Sequence, residues 1–145
     1  MRTIPKEESL DIEFKSDLKC YPDHDLIEEI VGMTNTAGGC LFLGVEDDGT
    51  ITGVHKKHRD PIGVTALIAN STVPPIAVRA EIITEEDKDV LKIEVPRSRG
   101  VMVLLTAGNN DCVHFVHSFS LYSLVVKAGP YGGHFRRPHH AARIV

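Results

Sequence analysis

The chain has 145 residues, of which 42% are hydrophobic and 25% are charged, as expected for one globular domain. These values exclude collagen-like, low-complexity and disulfide-rich proteins, and no apolar run is long enough for a transmembrane helix, so we expect no membrane association. The three cysteines are an odd number without framework spacing, so we expect free thiols and a cytoplasmic protein.

The charge is unevenly distributed along the chain. Residues 1–100 contain 12 Lys or Arg and 19 Asp or Glu, a net charge of −7, whereas residues 101–145 contain four basic residues and one acidic residue. Proteins that coat nucleic acid are usually basic, so a nucleic-acid surface here must be a local patch. We expect a main domain over residues 1–100, an additional strand-like segment over 101–127 and a disordered tail over 128–145.

The first part of the chain predicts a strand followed by a helix. Residues 10–15 alternate between apolar and polar side chains, which is typical of a half-buried strand. The helix is predicted to begin at Asp25, with Glu28 as its capping-box partner. Gly38 and Gly39 are expected to end it, because paired glycines commonly follow a helix.

The next segment predicts a hairpin and a second helix. Residues 40–45 are apolar on both faces, which indicates a covered central strand. An Asp-Gly turn follows, so residues 51–54 are interpreted as a short return strand. Asp60 and Pro61 then have the types that favour the cap and first position of a helix.

Residues 76–83 and 90–95 predict two further strands, joined as an antiparallel hairpin by the acidic turn at 85–89. The element order becomes β-α-β-β-α-β-β. This order predicts an α/β fold of the two-layer α+β type, a mixed sheet with helices mainly on one face. The expected core contains Leu10, Ile12, Phe14, Leu26, Ile30, Leu41, Leu43, Val45, Leu67, Ile93 and Val95.

Two blocks of this sequence resemble one known family. Residues 8–15 match the pattern E-S-x-x-h-E-F-K, and residues 35–49 match N-T-x-G-G-x-h-h-h-G-V-x-D-x-G, where h is apolar. Both patterns are those of the Schlafen-type AlbA-like domain, and the resemblance covers about residues 7–99. It implies an AlbA-like fold and a DNA-binding module at the N-terminus of a longer bacterial transcriptional regulator or RecG-like helicase-related protein. In the Schlafen proteins themselves a related domain is a ribonuclease.

The turn formed by Asn35, Thr36, Gly38 and Gly39 is a candidate phosphate site. Paired glycines let another chain approach the backbone closely, and amides in such a turn can hold a phosphate. The alternative is a helix C-cap followed by tight strand packing.

A basic loop is the second candidate contact. Lys56, Lys57 and Arg59 carry three fixed positive charges that can contact phosphates, and Arg97 and Arg99 after the last strand could extend the patch. The alternative is an ordinary solvated loop.

The resemblance also implies a catalytic alternative. Glu8 and Glu13 match the two glutamates of the Schlafen nuclease pattern, and Asp47 is the best match for its aspartate. Three carboxylates would suit Mg²⁺ or Mn²⁺, and Lys15 would stabilise the developing phosphate charge. However, residues five apart lie on opposite faces of a regular strand, so Glu8 must lie in an irregular lead-in. The alternative is a solvated strand face without a cofactor.

Three function classes therefore stay open. The leading hypothesis is a module that binds nucleic acid, with DNA as the first candidate, through phosphate contacts and without a cofactor. The second is a metal-dependent nuclease, and the third is a regulatory or oligomerisation module, including a homo-oligomer. Within the sequence no phosphate-binding loop of the G-x-x-x-x-G-K-[ST] type occurs, so helicase chemistry would need other domains of a longer parent protein.

Overall fold

The computed structural model describes residues 2–99 in full and the backbone of residues 103–105, 112–115 and 124–127. The expected tail at 128–145 lies outside the described residues. The elements are β1 (Ile12–Lys15), α1 (Asp23–Thr34), β2 (Gly39–Leu43), a 3-10 turn (Lys56–His58), α2 (Pro61–Asn70), β3 (Thr72–Val73), β4 (Arg79–Glu85), β5 (Lys88–Val95), β6 (Val103–Leu105), β7 (Cys112–Phe115) and β8 (Leu124–Lys127).

The main sheet has four strands in the order β1-β2-β5-β4. β1 and β2 are parallel, and the other two pairs are antiparallel, so the sheet is mixed. This confirms the predicted α/β class. The short β3 pairs with β6 in a second antiparallel sheet of the order β3-β6-β7-β8.

Both helices pack on one face of the main sheet, where they share one hydrophobic cluster with β2 and β5. The opposite face carries a smaller cluster of six buried residues, namely Ile4, Phe14, Phe42, Val45, Ile51 and Val90. Most of the expected core is buried. The buried members of that set are Phe14, Leu26, Ile30, Leu41, Leu43, Val45, Ile93 and Val95. Ile12 and Leu67 are only partly buried.

The predicted start of the first strand was wrong. Ser9 and Ile12 exchange two backbone hydrogen bonds of 3.1 and 3.3 Å, which closes a tight turn before β1. Leu10 lies in that turn and is 94% exposed, so its predicted burial was also wrong. The alternating pattern is real only from Ile12 onward, because the turn breaks the two-residue period.

The predicted start of the first helix was wrong, and that of the second was confirmed. α1 begins at Asp23 rather than Asp25, and Pro22 occupies the cap position without a side-chain hydrogen bond. The fixed φ of proline suits the extended backbone that leads into this helix. α2 begins as predicted, because Asp60 accepts the Ile62 N–H at 3.1 Å and Pro61 takes the first helical position.

The predicted return strand at residues 51–54 is reduced to one bridge between Val45 and Ile51. The N–H groups of Thr52 and Gly53 both donate to the Gly44 carbonyl at 2.9 Å, which turns the chain away from β2. The element order predicted from sequence is therefore not reproduced at this point. The chain then continues into the basic loop.

Candidate nucleic-acid interface

The basic loop presents two cations to solvent and neutralises a third. Lys57 Nζ contacts Asp23 Oδ2 at 2.8 Å. Hydrogen bonding to Lys57 lowers the pKa of Asp23 and in turn raises that of Lys57. Lys56 and Arg59 are exposed, and neither forms an ion pair within the part of the chain that the structure describes. Two of the three predicted phosphate contacts therefore keep uncompensated charge.

A buried histidine fixes the shape of this loop. His58 is 1% exposed, and its Nδ1 lies 2.9 Å from Oδ2 of Asp17, which is itself fully buried. Asp17 also accepts the backbone N–H of His55 at 2.7 Å. These contacts join the loop to the segment between β1 and α1. Sequence reasoning missed Asp17 and His58, because 41 residues separate them and no local pattern connects them.

An open groove of about 430 Å³ lies beside the loop. Lys56, Arg59 and Lys88 line it, together with the carboxylates of Asp87 and Asp89. Lys88 donates to the Ile51 carbonyl at 2.7 Å, so its ammonium is held close to the groove wall. The groove thus offers cations for a phosphate, and carboxylates that would repel an anion placed on their side.

The glycine turn packs against the protein itself. Gly38 has φ +72°, and a Cβ there would lie 2.6 Å from the Val95 carbonyl oxygen and 2.7 Å from the Arg97 nitrogen. A Cβ on Gly39 would overlap the Asp11 carbonyl. Close approach of the chain's own backbone is therefore enough to require both glycines. The Thr36 hydroxyl donates to the Gly32 and Met33 carbonyls at 3.0 Å, and the predicted phosphate contact of Asn35, Thr36 and the glycines stays a prediction.

Arg97 and Arg99 do not extend the basic loop into one continuous surface, because they lie at the opposite end of β5. Arg97 follows β5 beside Gly38, whereas the Val54 N–H next to the basic loop donates to Asp89 near the start of β5. A strand of eight residues spans roughly 24 Å at about 3.4 Å per residue. Both arginines are exposed and stay candidate contacts, but at the other end of this strand.

The turn before β1 brings Glu8 back alongside the strand. The Phe14 N–H donates to Glu8 Oε1 at 2.8 Å. Glu8 therefore lies in the irregular lead-in that the five-residue spacing requires. Glu13 hydrogen-bonds Lys15, whose Nζ also lies 3.9 Å from Glu29 Oε2 of α1. These four side chains form the carboxylate cluster, which consists of Glu8, Glu13, Lys15 and Glu29.

The carboxylate cluster shifts the pKa of two of its members. Burial raises the pKa of Glu29; Lys15 opposes this effect, and Glu13 and Glu8 add to it. Burial acts against the charge of Lys15, but the hydrogen bond to Glu13 and the charge of Glu29 raise its pKa overall. Sequence reasoning missed Glu29, because it lies on a helix whose polar positions carry no motif.

In the described part of the chain, no contact joins Asp47 to the carboxylate cluster. Asp47 is exposed in the turn after β2. Among the described residues, no group of ligand atoms within 4.8 Å of one another contains Glu8, Glu13 and Asp47 together. The three carboxylates therefore do not converge as a metal site needs, and the Mg²⁺ or Mn²⁺ set stays a prediction.

The family assignment follows from the motifs in their structural places. Residues 8–15, which carry the first pattern, form the turn before β1 and β1 itself. Residues 35–49, which carry the second, form the glycine turn, β2 and the loop that follows β2. The Schlafen, AlbA_2 family model matches residues 8–116. The chain belongs to this family. The AlbA-like domain is thus established over most of the chain.

Two solved structures are similar to this AlbA-like chain. The DIP2311 protein from Corynebacterium diphtheriae matches 79% of it with a TM-score of 0.58 and 21% identity. The chain spans only 22% of that protein, and the likeness supports the fold alone. The N-terminal domain of a protein from Nitrosomonas europaea related to the ATP-dependent DNA helicase RecG has 19% identity and a TM-score of 0.49, with 88% of this chain and 90% of that domain covered.

No helix in the part of the chain that the structure describes is long and apolar enough to cross a bilayer.

Proposed function

We propose that this chain is a nucleic-acid-binding module that contacts phosphates through Lys56 and Arg59 beside the groove, with DNA as the first candidate ligand. One observation carries the proposal. In a chain of net charge −4, these two side chains lie on one loop, are exposed, form no ion pair in the described part, and line one groove together with Lys88. Three other lysines, Lys15, Lys57 and Lys92, are instead paired with carboxylates.

Geometry and family membership support this assignment. The buried contact of His58 with Asp17 fixes the loop backbone that carries the two cations, so only their side chains need ordering when a phosphate binds. The carboxylates of Asp87 and Asp89 would disfavour a phosphate beside them, which favours its approach to Lys56 and Arg59 of the loop. Membership of the family leads us to place the chain as one module of a longer bacterial regulator or helicase-related protein. The free thiols of Cys20 and Cys40 favour the cytoplasm.

The test is fluorescence anisotropy with labelled DNA and RNA, each titrated at several salt concentrations. The double variant Lys56→Ala with Arg59→Ala should bind all sequences more weakly. Its plot of log affinity against log salt should lose about two units of slope, because each phosphate contact contributes roughly one. Lys92→Ala is the matched control, since it removes a lysine paired with Glu81 and Glu94.

Two outcomes would contradict the proposal. Equal binding by the double variant and the wild type excludes this loop as the contact. No binding to DNA or RNA at low salt excludes the function itself and favours the regulatory or oligomerisation module. Sedimentation of the wild type would then test the homo-oligomer directly.

A metal-dependent nuclease is the second candidate, because Glu8, Glu13 and Lys15 all act electrostatically on Glu29 of α1, so the matched family residues share one neighbour. In the Mg²⁺ or Mn²⁺ hypothesis Glu8, Glu13 and Asp47 would hold the ion, which requires the exposed turn with Asp47 to move toward the two glutamates when the ion binds. Glu13→Gln should then abolish cleavage of RNA while the melting curve stays unchanged. Glu81→Gln, an exposed carboxylate on β4, is the matched control. Cleavage that persists in Glu13→Gln, or without divalent ions, excludes this candidate.

A further inference from the structure

A second group of ligand-type side chains lies beneath the basic loop, away from the carboxylate cluster. It consists of Asp17, Cys20 and His58, which each offer one ligand atom, and these atoms all lie within 4.8 Å of one another. Asp17 and His58 are almost completely buried, and Cys20 is partly buried. Together they present a carboxylate, a thiol and an imidazole at one point.

This donor set is typical of a transition metal rather than of Mg²⁺. Sulfur and nitrogen ligands select zinc-like ions, whereas Mg²⁺ requires oxygen. The Nδ1 of His58 lies 2.9 and 3.1 Å from the two carboxylate oxygens of Asp17. Tetrahedral Zn²⁺ separates such ligand atoms by about 3.4 Å, given metal–ligand distances of about 2.1 Å. An outward shift of a few tenths of an ångström would therefore admit the ion.

The surrounding contacts hold the ligands in place. The N–H groups of Tyr21 and His55 donate to the two oxygens of Asp17 at 2.6 and 2.7 Å, which fixes the carboxylate. The Nε2 of His58 lies 3.2 Å from Asp23 Oδ1. A carboxylate on the far nitrogen of a ligating histidine is the usual outer partner in zinc sites.

The backbone directs Cys20 toward this point. Cys20 has φ +61°, a left-handed conformation that is uncommon for residues other than glycine. Its N–H donates to the Asp17 carbonyl at 3.1 Å, so the segment after β1 folds back on itself. Two of the three ligands therefore come from one tight turn, and the third comes from the basic loop.

We propose that Asp17, Cys20 and His58 bind one Zn²⁺ ion, with water as the fourth ligand and Asp23 as the outer hydrogen-bond partner of His58. The ion would replace the thiol proton of Cys20 and the proton between Nδ1 and Asp17. It would join the segment between β1 and α1 to the basic loop. Neither Lys56 nor Arg59 is a ligand, so the metal site and the proposed phosphate contacts can be tested with separate variants.

The test uses untagged, chelator-treated full-length protein titrated with Co²⁺ and then with Zn²⁺. We expect one equivalent of Co²⁺ to produce thiolate-to-cobalt absorption that Zn²⁺ removes. One equivalent of Zn²⁺ should raise the melting temperature, and an equal amount of Mg²⁺ should not, because ions that bind only the folded state stabilise it. Cys20→Ser should lose the absorption and weaken Zn²⁺ binding at least tenfold.

Matched variants separate this site from the other thiols of the chain. Cys40→Ser and Cys112→Ser should both keep the absorption and the melting shift. Glu13→Gln should also keep them, which separates this site from the Mg²⁺ hypothesis. The proposal is wrong if Cys20→Ser binds Co²⁺ like the wild type, if Cys112→Ser loses the absorption, or if the wild type binds no Zn²⁺. Circular dichroism of metal-free Cys20→Ser confirms that the variant is folded.

Discussion

Phe14 should be one of the most sensitive positions for stability, although it lies on an edge strand. Its side chain is completely buried, and its ring meets that of Phe42 edge to face at a centroid distance of 6.0 Å. A buried phenylalanine removes about 150–250 Å² from water, which corresponds to roughly 4–6 kcal/mol at about 25 cal/mol per Å². Substitution by alanine in cores costs about 3–5 kcal/mol, so we expect Phe14→Ala to lose that free energy of unfolding.

Urea melts followed by circular dichroism measure this loss. Because the whole domain is expected to have only about 5–15 kcal/mol, Phe14→Leu provides a milder variant with a loss of about 1–2 kcal/mol. Leu10→Ala is the control, since Leu10 is apolar, close in sequence and 94% exposed, and it should change stability by less than about 0.5 kcal/mol. A loss below about 1 kcal/mol in Phe14→Ala, or an equal loss in Leu10→Ala, would refute the placement of Phe14 in the smaller hydrophobic cluster on the face opposite the helices.

Two further variants test the glycine turn and the carboxylate cluster. Gly38→Ala should lose at least about 2 kcal/mol in urea melts, because the left-handed backbone alone costs about 1–2 kcal/mol and the new Cβ would overlap the backbone of Val95 and Arg97; unchanged stability would contradict this packing. Burial raises the pKa of Glu29 above its ordinary 4.5, so the protonated form is favoured on folding. Its stabilising contribution is complete below pH 4.5 and is lost as pH rises through the raised pKa. Glu29→Gln should therefore flatten the fall of stability above pH 4.5 in urea melts, and an unchanged pH slope would contradict the burial of Glu29.

The sequence predicted the features that depend on neighbours in the chain. Asp60 and Pro61 start α2 because capping chemistry is decided within three residues. The predicted burial of Leu10 and the predicted helix start at Asp25 were wrong for related reasons. A turn closed by Ser9 and Ile12 interrupts the strand pattern, and Pro22 moves the helix start ahead of the better capping residue. Each local pattern was real, but a stronger backbone constraint next to it decided the boundary.

The candidate sites were less predictable because they are assembled from distant segments. The contact between Asp17 and His58 spans 41 residues, and the partner that neutralises Lys57 is Asp23, 34 residues away. Hydrophobic periodicity cannot reveal such pairs, since it reports only which face is buried. The family motif named Glu8 and Glu13 as a pair and required Glu8 to lie in an irregular lead-in, but Glu29 approaches Lys15 only through the packing of α1 on the sheet.

Glu8 allows a structural role to be separated from a catalytic one. β1 lies at the edge of the sheet, and the Phe14 N–H on this strand is satisfied by the Glu8 carboxylate. A hydrogen bond of this kind is worth about 1 kcal/mol, so Glu8→Ala should lose roughly 0.5–1.5 kcal/mol in urea melts. Glu8→Gln keeps an oxygen that can accept the same N–H and should lose less than about 0.5 kcal/mol.

The two variants therefore report different properties of one side chain. If Glu8 only satisfies the strand edge, Glu8→Gln behaves like the wild type in stability, nucleic-acid affinity and any cleavage assay, because the hydrogen bond needs no charge. If Glu8 binds a divalent ion, Glu8→Gln keeps its stability but loses cleavage, because the metal requires a carboxylate. Equal destabilisation by both variants would show that the negative charge, and not the hydrogen bond to Phe14, stabilises the start of β1.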